Sequence, residues 1–326
     1  MRANALLKLI VVAAVGAAGL IASPADPAAA ADSAIRIGGE DRIETSVAIS
    51  QASFPTVGSA KAVVLTRADD FADALAGTPF AVRMGGPLLV TGTAKLDIRV
   101  SQEIRRVLAQ DGQIFVLGGP SAVSTVVVDD IVGIGFNPVR ISGTDRFDTA
   151  MQIAERFEAP VRVLLCSGLS FPDALSAGAA AAATNGLVLL TNGSFMPPAV
   201  AQYLLDHPGA EYFAVGGPAA QAAPTATAIV GVDRFDTAVQ VATRLFKAPV
   251  VVGAASGETF PDGLSGGAMM GKVGGPLLLV AGSVGLTPIV AAYLQANAPS
   301  VTTVNVFGGH SAVSDFVLRE LNTAIL

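Results

Sequence analysis

Arg140-Ile-Ser-Gly-Thr-Asp-Arg-Phe-Asp-Thr149 decides how this chain reads, because it occurs three times. It returns as Arg36-Ile-Gly-Gly-Glu-Asp-Arg-Ile-Glu-Thr45 and as Ala228-Ile-Val-Gly-Val-Asp-Arg-Phe-Asp-Thr237. Each copy keeps an Asp-Arg pair: Asp41/Arg42, Asp145/Arg146 and Asp233/Arg234. Self-similarity of this kind takes precedence over any local pattern. The pairs stand 104 and 88 residues apart, domain-sized steps rather than the roughly 20–50 residues of a solenoid repeat. Length alone would divide the 326 residues into two domains; the repeat divides them into three.

Working outward, the same four blocks recur. The first is a strand, Val139-Arg-Ile-Ser142, running through Asp145-Arg146 into a helix with Phe147, Met151 and Ala154 on one side. In the second, the strand Val163-Leu-Leu-Cys166 leads to Ser170-Phe-Pro-Asp-Ala-Leu175, which opens a small-residue helix. Its counterparts are Asp70-Phe-Ala-Asp-Ala-Leu75 and Thr259-Phe-Pro-Asp-Gly-Leu264. A third block is a Gly and a buried strand: Gly86-Pro-Leu-Leu-Val-Thr91, Gly186-Leu-Val-Leu-Leu-Thr191 and Gly275-Pro-Leu-Leu-Leu-Val280. Thr287-Pro288 then reads as a helix start with Pro at the first position. The fourth is a strand ending in Gly-Gly, at 118/119, 216/217 and 308/309. Ser121-Ala-Val-Ser124 and Ser311-Ala-Val-Ser314 open the final helix.

Strands alternating with helices predict a parallel sheet covered on both faces. The fold class is therefore α/β, as three tandem parallel-sheet modules over 32–136, 137–226 and 227–326. The middle repeat is short at its end: Gly216 precedes Asp233 by 17 residues where Gly118 precedes Asp145 by 27, and Pro224 lies in the gap. Its last helix is expected to be a turn or absent. Without Ser/Pro/Gly linkers between them, the repeats are expected to dock.

Charge narrows the partners. The net charge is −6, with five Lys against fifteen Arg, which excludes a generic nucleic-acid binder with a basic face. Any anion site must be local and built from Arg. Residues 1–31 read as a signal peptide: Arg2 and Lys8, an apolar run from Leu9 to Ala22, then small residues with cleavage near Ala30 or Ala31. That run is short of the ~20 residues that span a bilayer, so the mature chain is expected to have no stable membrane insertion. Cys166, the sole cysteine, sits in an apolar stretch and reads as a buried thiol. Export without disulfides points to a bacterial exterior.

Every Asp-Arg pair stands at a helix start, where Asp41, Asp145 and Asp233, each with an acid three residues on, fit an N-cap and its capping-box partner. The Arg is harder to explain locally, since a cation opposes the positive end of the helix dipole. Arg beside a helix N-terminus is what a carboxylate or phosphate site needs; an Arg bridging neighbouring repeats is the structural alternative. Asp73, Asp173 and Asp262 likewise read either as N3 partners of caps at Asp70, Ser170 and Thr259, or as ligand contacts at the carboxyl edge of a parallel sheet. Catalysis has little support. His207 and His310 are the only histidines, and neither a zinc spacing nor a dinucleotide loop occurs. Asp69/Asp70 and Asp129/Asp130 could hold Mg²⁺, but neither pair recurs in the other repeats. No catalytic residue, metal or cofactor is expected.

The triple array of Gly-x-Asp-Arg-[aromatic]-[acid]-Thr-Ala, Phe-Pro-Asp-Ala-Leu, Gly-Gly-Pro-Leu-Leu-Leu and Leu-Gly-Gly-x-Ser-Ala-Val-Ser resembles the cell wall-binding repeat 2 family of Gram-positive surface proteins, over about residues 35–326. The resemblance implies Toprim-like or Rossmann-like modules around a pseudo-threefold axis. It also implies non-covalent attachment of an exported protein to an anionic secondary wall polymer, teichoic-acid-like or another polysaccharide. Carried over residue by residue, the ligand contacts are Arg42, Arg146 and Arg234 with Asp41, Asp145 and Asp233; Asp73, Asp173 and Asp262 join them from the reading of the sheet edge. Departures such as Ala228 in place of Arg, Ile43 in place of the aromatic and Ala72 in place of Pro lead to an expectation of unequal clefts. Family members usually join the anchor to an effector domain, whereas the repeats here take up residues 32–326. Two other readings stay open: a wall hydrolase of the N-acetylmuramoyl-L-alanine amidase type, and a secreted binding protein for a small anionic solute.

Overall fold

The computed structural model describes residues 33–326; the signal-peptide reading of residues 1–31 lies outside them. The first repeat runs β1 (Ser33–Ile37), α1 (Arg42–Ser53), β2 (Ala60–Arg67), α2 (Gly77–Met84), β3 (Leu88–Thr91), α3 (Ile98–Val107), β4 (Leu108–Leu117) and α4 (Thr125–Gly133). In the second come β5 (Pro138–Ile141), α5 (Arg146–Ala154), β6 (Arg162–Ser167), α6 (Pro172–Ala183), β7 (Gly186–Thr191), α7 (Pro198–Asp206), β8 (Glu211–Val215) and α8 (Gly217–Ala222). The third follows with β9 (Thr227–Ile229), α9 (Arg234–Leu245), β10 (Val251–Ser256), α10 (Pro261–Val273), β11 (Leu277–Val280), α11 (Pro288–Asn297), β12 (Thr303–Phe307) and α12 (Asp315–Ala324).

These elements make three four-stranded parallel sheets, ordered β3-β2-β4-β5, β7-β6-β8-β9 and β11-β10-β12-β1. Sheet and sequence repeat are therefore out of phase by one strand. Each sheet takes its fourth strand from the next repeat: β5 lies on β4 and β9 on β8. The third sheet is completed by β1, with Ser33 to Ile37 in register with Thr303 to Phe307. The N-terminal strand thus closes a ring of repeats.

After the handed-over strand, the chain passes through Asp-Arg into a helix that packs on its own repeat's sheet, α1 on β3, α5 on β7 and α9 on β11. The strands β3, β7 and β11 are buried along their whole length, as continuous apolar runs in a covered parallel sheet should be. Helices α2, α6 and α10 pack against one another, and their Ala and Gly content permits the close approach. A Cβ added at Gly271 would collide with the Ala182 methyl. The rings of Phe71, Phe171 and Phe260 stand before these helices as a triangle, with centroids 5.6, 5.7 and 6.0 Å apart. One apolar core draws on all three repeats, with smaller clusters outside the first and third sheets. The repeats dock as expected, and the fold is α/β with pseudo-threefold order.

The middle repeat departs from expectation. Its last helix is neither a turn nor missing but α8, six residues long, ending just before Pro224. Among the helix starts, Thr287 takes the N-cap position before Pro288 but makes no side-chain cap bond.

Candidate functional site between repeats

The recurring Gly-x-Asp-Arg-x-acid-Thr stretch is largely a local device. Asp41 Oδ1 accepts the Glu44 N–H at 2.8 Å, and Asp145 and Asp233 each accept two backbone N–H groups at 2.8–2.9 Å. The acid at N3 reaches back one residue further than a simple capping box, to the N–H preceding the cap: Glu44 to Glu40, Asp148 to Thr144, Asp236 to Val232, at 2.8–2.9 Å. Thr45, Thr149 and Thr237 Oγ1 accept the Gly39, Gly143 and Gly231 N–H, each at 3.1 Å. Capping therefore accounts for the Asp, the acid, the Thr and the Gly. In the first repeat Asp41 also accepts from Arg99 Nη2 at 2.9 Å.

The Arg is the residue left over. Arg42, Arg146 and Arg234 each donate one Nη1–H, to the carbonyls of Ala68, Gly168 and Gly257 at 2.7, 2.8 and 2.5 Å. That bond ties the helix start to the loop after β2, β6 or β10. The rest of the guanidinium faces the preceding repeat: Arg42 lies 5.9 Å over Phe260 and Arg146 5.4 Å over Phe71. None of the three makes an ion pair among the described residues.

On the other side of each boundary stand Asp73, Asp173 and Asp262. The capping reading of these residues fails. Pro172 and Pro261 occupy the first turn of α6 and α10, so Phe171 and Phe260 take the N-cap in a helical conformation with no side-chain bond. In the first repeat α2 begins only at Gly77, while Asp70 Oδ1 accepts the Ala72 N–H. The three carboxyls instead abut the first Gly of each Gly-Gly pair. A Cβ at Gly118 would stand 2.6 Å from Asp73 Oδ2, one at Gly308 2.7 Å from Asp262 Oδ2, and Gly216 opposes Asp173 in the same way. All three glycines have left-handed φ, +99°, +86° and +115°. Only Gly fits both the conformation and the contact.

Burial pushes the Asp173 and Asp262 carboxyls up to about 6, against the opposing pull of Arg234 on the first and of Arg42, with the Thr45 hydroxyl, on the second. Asp262 is 7% exposed, and its Oδ1 has no hydrogen-bond partner among the described residues.

Several of the nine residues named from the sequence face one another across repeat boundaries, whereas Asp145 lies with residues of its own repeat. Asp41 and Arg42 line one cleft with Asp262; Arg234 acts on Asp173; Arg146 lies over Phe71, two residues before Asp73. At the first of these boundaries a cleft of about 310 Å³ is lined by Asp41, Arg42, Thr45, Asp262, Gly309 and Ser311, among others. Two contributors escaped the sequence reading. The aromatic of block two builds the central triangle, and its presence in every copy was the available signal. Arg36 and Arg140 brace the Gly-Gly turns by donating to the Gly308 and Gly118 carbonyls at 3.0 and 2.5 Å. Ala228 leaves the middle sheet without that brace, and this is the sheet whose Gly-Gly turn runs straight into the short α8.

The metal pairs weighed in the sequence are engaged otherwise. Asp69 is held by Arg67 at 2.6 and 2.9 Å, and Asp130 accepts the Leu96 N–H at 3.2 Å.

Comparison with known proteins agrees with this architecture. Over 310 residues the chain is 26% identical to N-acetylmuramoyl-L-alanine amidase LytC of Bacillus subtilis (strain 168), covering 92% of this chain and 60% of that protein. It is 28% identical over 162 residues to the Amidase enhancer of the same organism, 50% of this chain and 22% of that one. Cwp8 and Cwp6 from Clostridium difficile share the fold with a TM-score of 0.80 at 22% and 21% identity, over 90% of this chain and 51% and 48% of theirs. The chain therefore spans about half the length of the solved structures and 60% of the amidase. The model of the cell wall binding domain 2 (CWB2) family matches residues 36–128, 140–223 and 228–318. Three matches that take up most of the sequence, each centred on a repeat, establish that the chain belongs to the cell wall binding domain 2 family.

Proposed function

We propose that this is an exported, non-enzymatic protein of the cell surface that holds an anionic secondary wall polymer, teichoic-acid-like or another polysaccharide, in the clefts between its repeats. The observation that carries this reading is the thrice-repeated guanidinium at a helix N-terminus, bonded to one carbonyl and otherwise free of ion pairs among the described residues. Such an Arg has N–H groups left for a phosphate or carboxylate, and the helix terminus adds a favourable field. Asp41, Asp145 and Asp233 hold that terminus in place, while Asp173 and Asp262 face it from the neighbouring repeat and Asp73 takes the equivalent place against Gly118. Family membership supports the wall as the setting, and the leader-like residues 1–31 support export. No helix among the described residues is long and apolar enough to cross a membrane.

Three tethered weak sites on one polymer reinforce each other through effective concentration. Replacing Arg42, Arg146 and Arg234 together by Ala is expected to release the protein from isolated Gram-positive walls while its circular dichroism stays folded. Undiminished retention of a folded triple variant would refute the reading. The amidase named among the relatives motivates a turnover assay on purified peptidoglycan with and without Zn²⁺, for which no release of product is expected.

A further inference from the structure

We infer that the cleft between the third and first repeats recognises an acidic sugar unit that carries a hydrogen-bond donor, a hydroxyl or an ammonium, beside its anionic group. This rests on the wall-binding reading and goes beyond it by naming the second half of the ligand. A plain anion site would present donors only. Here Arg42 faces Asp262, whose Oδ1 is left without a donor by the fold's own bonding among the described residues.

Three observations converge. Asp262 is almost fully enclosed, yet Oδ1 finds no donor among the described residues. Its other oxygen lies against Gly308, whose missing Cβ makes the room. The carboxyl lines the same 310 Å³ cleft as Arg42, Thr45 and Ser311. A buried carboxylate oxygen without a donor is costly and is rarely kept without a use.

A lone anion would meet a carboxylate across the cleft, and a lone cation would meet the guanidinium. A ligand with both groups satisfies both sides: its anion takes the Arg42 N–H groups and its O–H or N–H donates to Asp262. The hydroxyl of Ser311 at the same opening suits a remaining oxygen of a sugar. The Phe71, Phe171 and Phe260 triangle holds the Phe260 ring under Arg42, two residues before Asp262.

The test uses the purified protein at pH 8, with glucosamine 6-phosphate, glucose 6-phosphate and sulfate as probes. Binding is followed by the amide resonances of Gly39 and Gly309, which line this cleft. Both sugar phosphates are expected to bind more tightly than sulfate, and Asp262→Asn is expected to weaken them roughly tenfold or more while leaving sulfate unchanged or tighter. If Asp262→Asn tightens the sugar phosphates, or leaves them unchanged, the cleft is a simple anion site and the inference is overturned. Arg42→Ala should abolish binding of all three probes. Probes that still bind to Arg42→Ala, or that fail to bind the native protein at all, would overturn the underlying anion reading as well, an outcome distinct from the first. A thermal melt of each variant confirms that the fold is retained.

Discussion

Asp262 and Asp173 are the residues this fold keeps at a cost. With carboxyls near 6, against 3.8 for an ordinary Asp, both bind a proton more tightly folded than unfolded. Their contribution therefore favours the folded state below about pH 4 and is lost as pH rises to 6. Above that it is a constant burden, at most about 3 kcal/mol for each residue. Asp262→Asn is accordingly expected to raise the melting temperature at pH 7.5, with the gain shrinking to nothing near pH 4. An Asn variant that is less stable at pH 7.5, or equally shifted at both pH values, would show that the carboxylate is structurally wanted. A gain in stability with a loss of binding is the pattern of a functional site held against the fold's interest. The capping role of Asp41, Asp145 and Asp233 was legible in the sequence because it is local. The meeting of Arg42 with Asp262 was not, because more than 200 residues separate them and only ring closure brings them together.

At the scale of elements, the Gly-Gly turns after β4, β8 and β12 carry the geometry. Gly118 and Gly119 make an internal comparison: the first has φ +99° and a Cβ position 2.6 Å from Asp73 Oδ2, the second has nothing within 4 Å. Gly118→Ala is expected to lower stability by roughly 1–3 kcal/mol, read as a shift in urea midpoint, and Gly119→Ala to leave it nearly unchanged. Equal midpoints for the two variants would contradict the assignment. The alternation of strands and helices, the buried third strand and the small-residue helix were all readable from periodicity and composition. The sheet to which β1, β5 and β9 belong was not. A strand as short as Thr227–Ile229 carries no mark of its partner, and its placement follows from how the helix after it must turn to reach its own sheet. The survival of α8 as a six-residue helix was likewise hidden: Pro224 stops the helix from continuing, but does not prevent one beginning immediately at Gly217.

For the whole molecule, the decisive feature is closure. β1 lies beside β12, and Arg36 from β1 reaches Gly308, Val313 and Asp315 of the last repeat at 2.7–3.0 Å. The first strand thus braces the turn that shelters Asp262. A chain beginning at Gly38 should melt at a lower temperature than one beginning at Asp32 and should lose most in the third repeat, seen as faster amide exchange along Thr303–Phe307. Uniform exchange in the two chains would argue against ring closure as a stabilising contact. A closed ring also fixes the three repeat boundaries relative to one another, as the Phe71, Phe171 and Phe260 triangle shows. The most direct measurement is co-sedimentation of the protein with purified Gram-positive walls before and after acid extraction of their anionic polymers. Binding that disappears with the polymer is the predicted result; binding that persists on bare peptidoglycan would contradict the account and return attention to the glycan or peptide as the ligand.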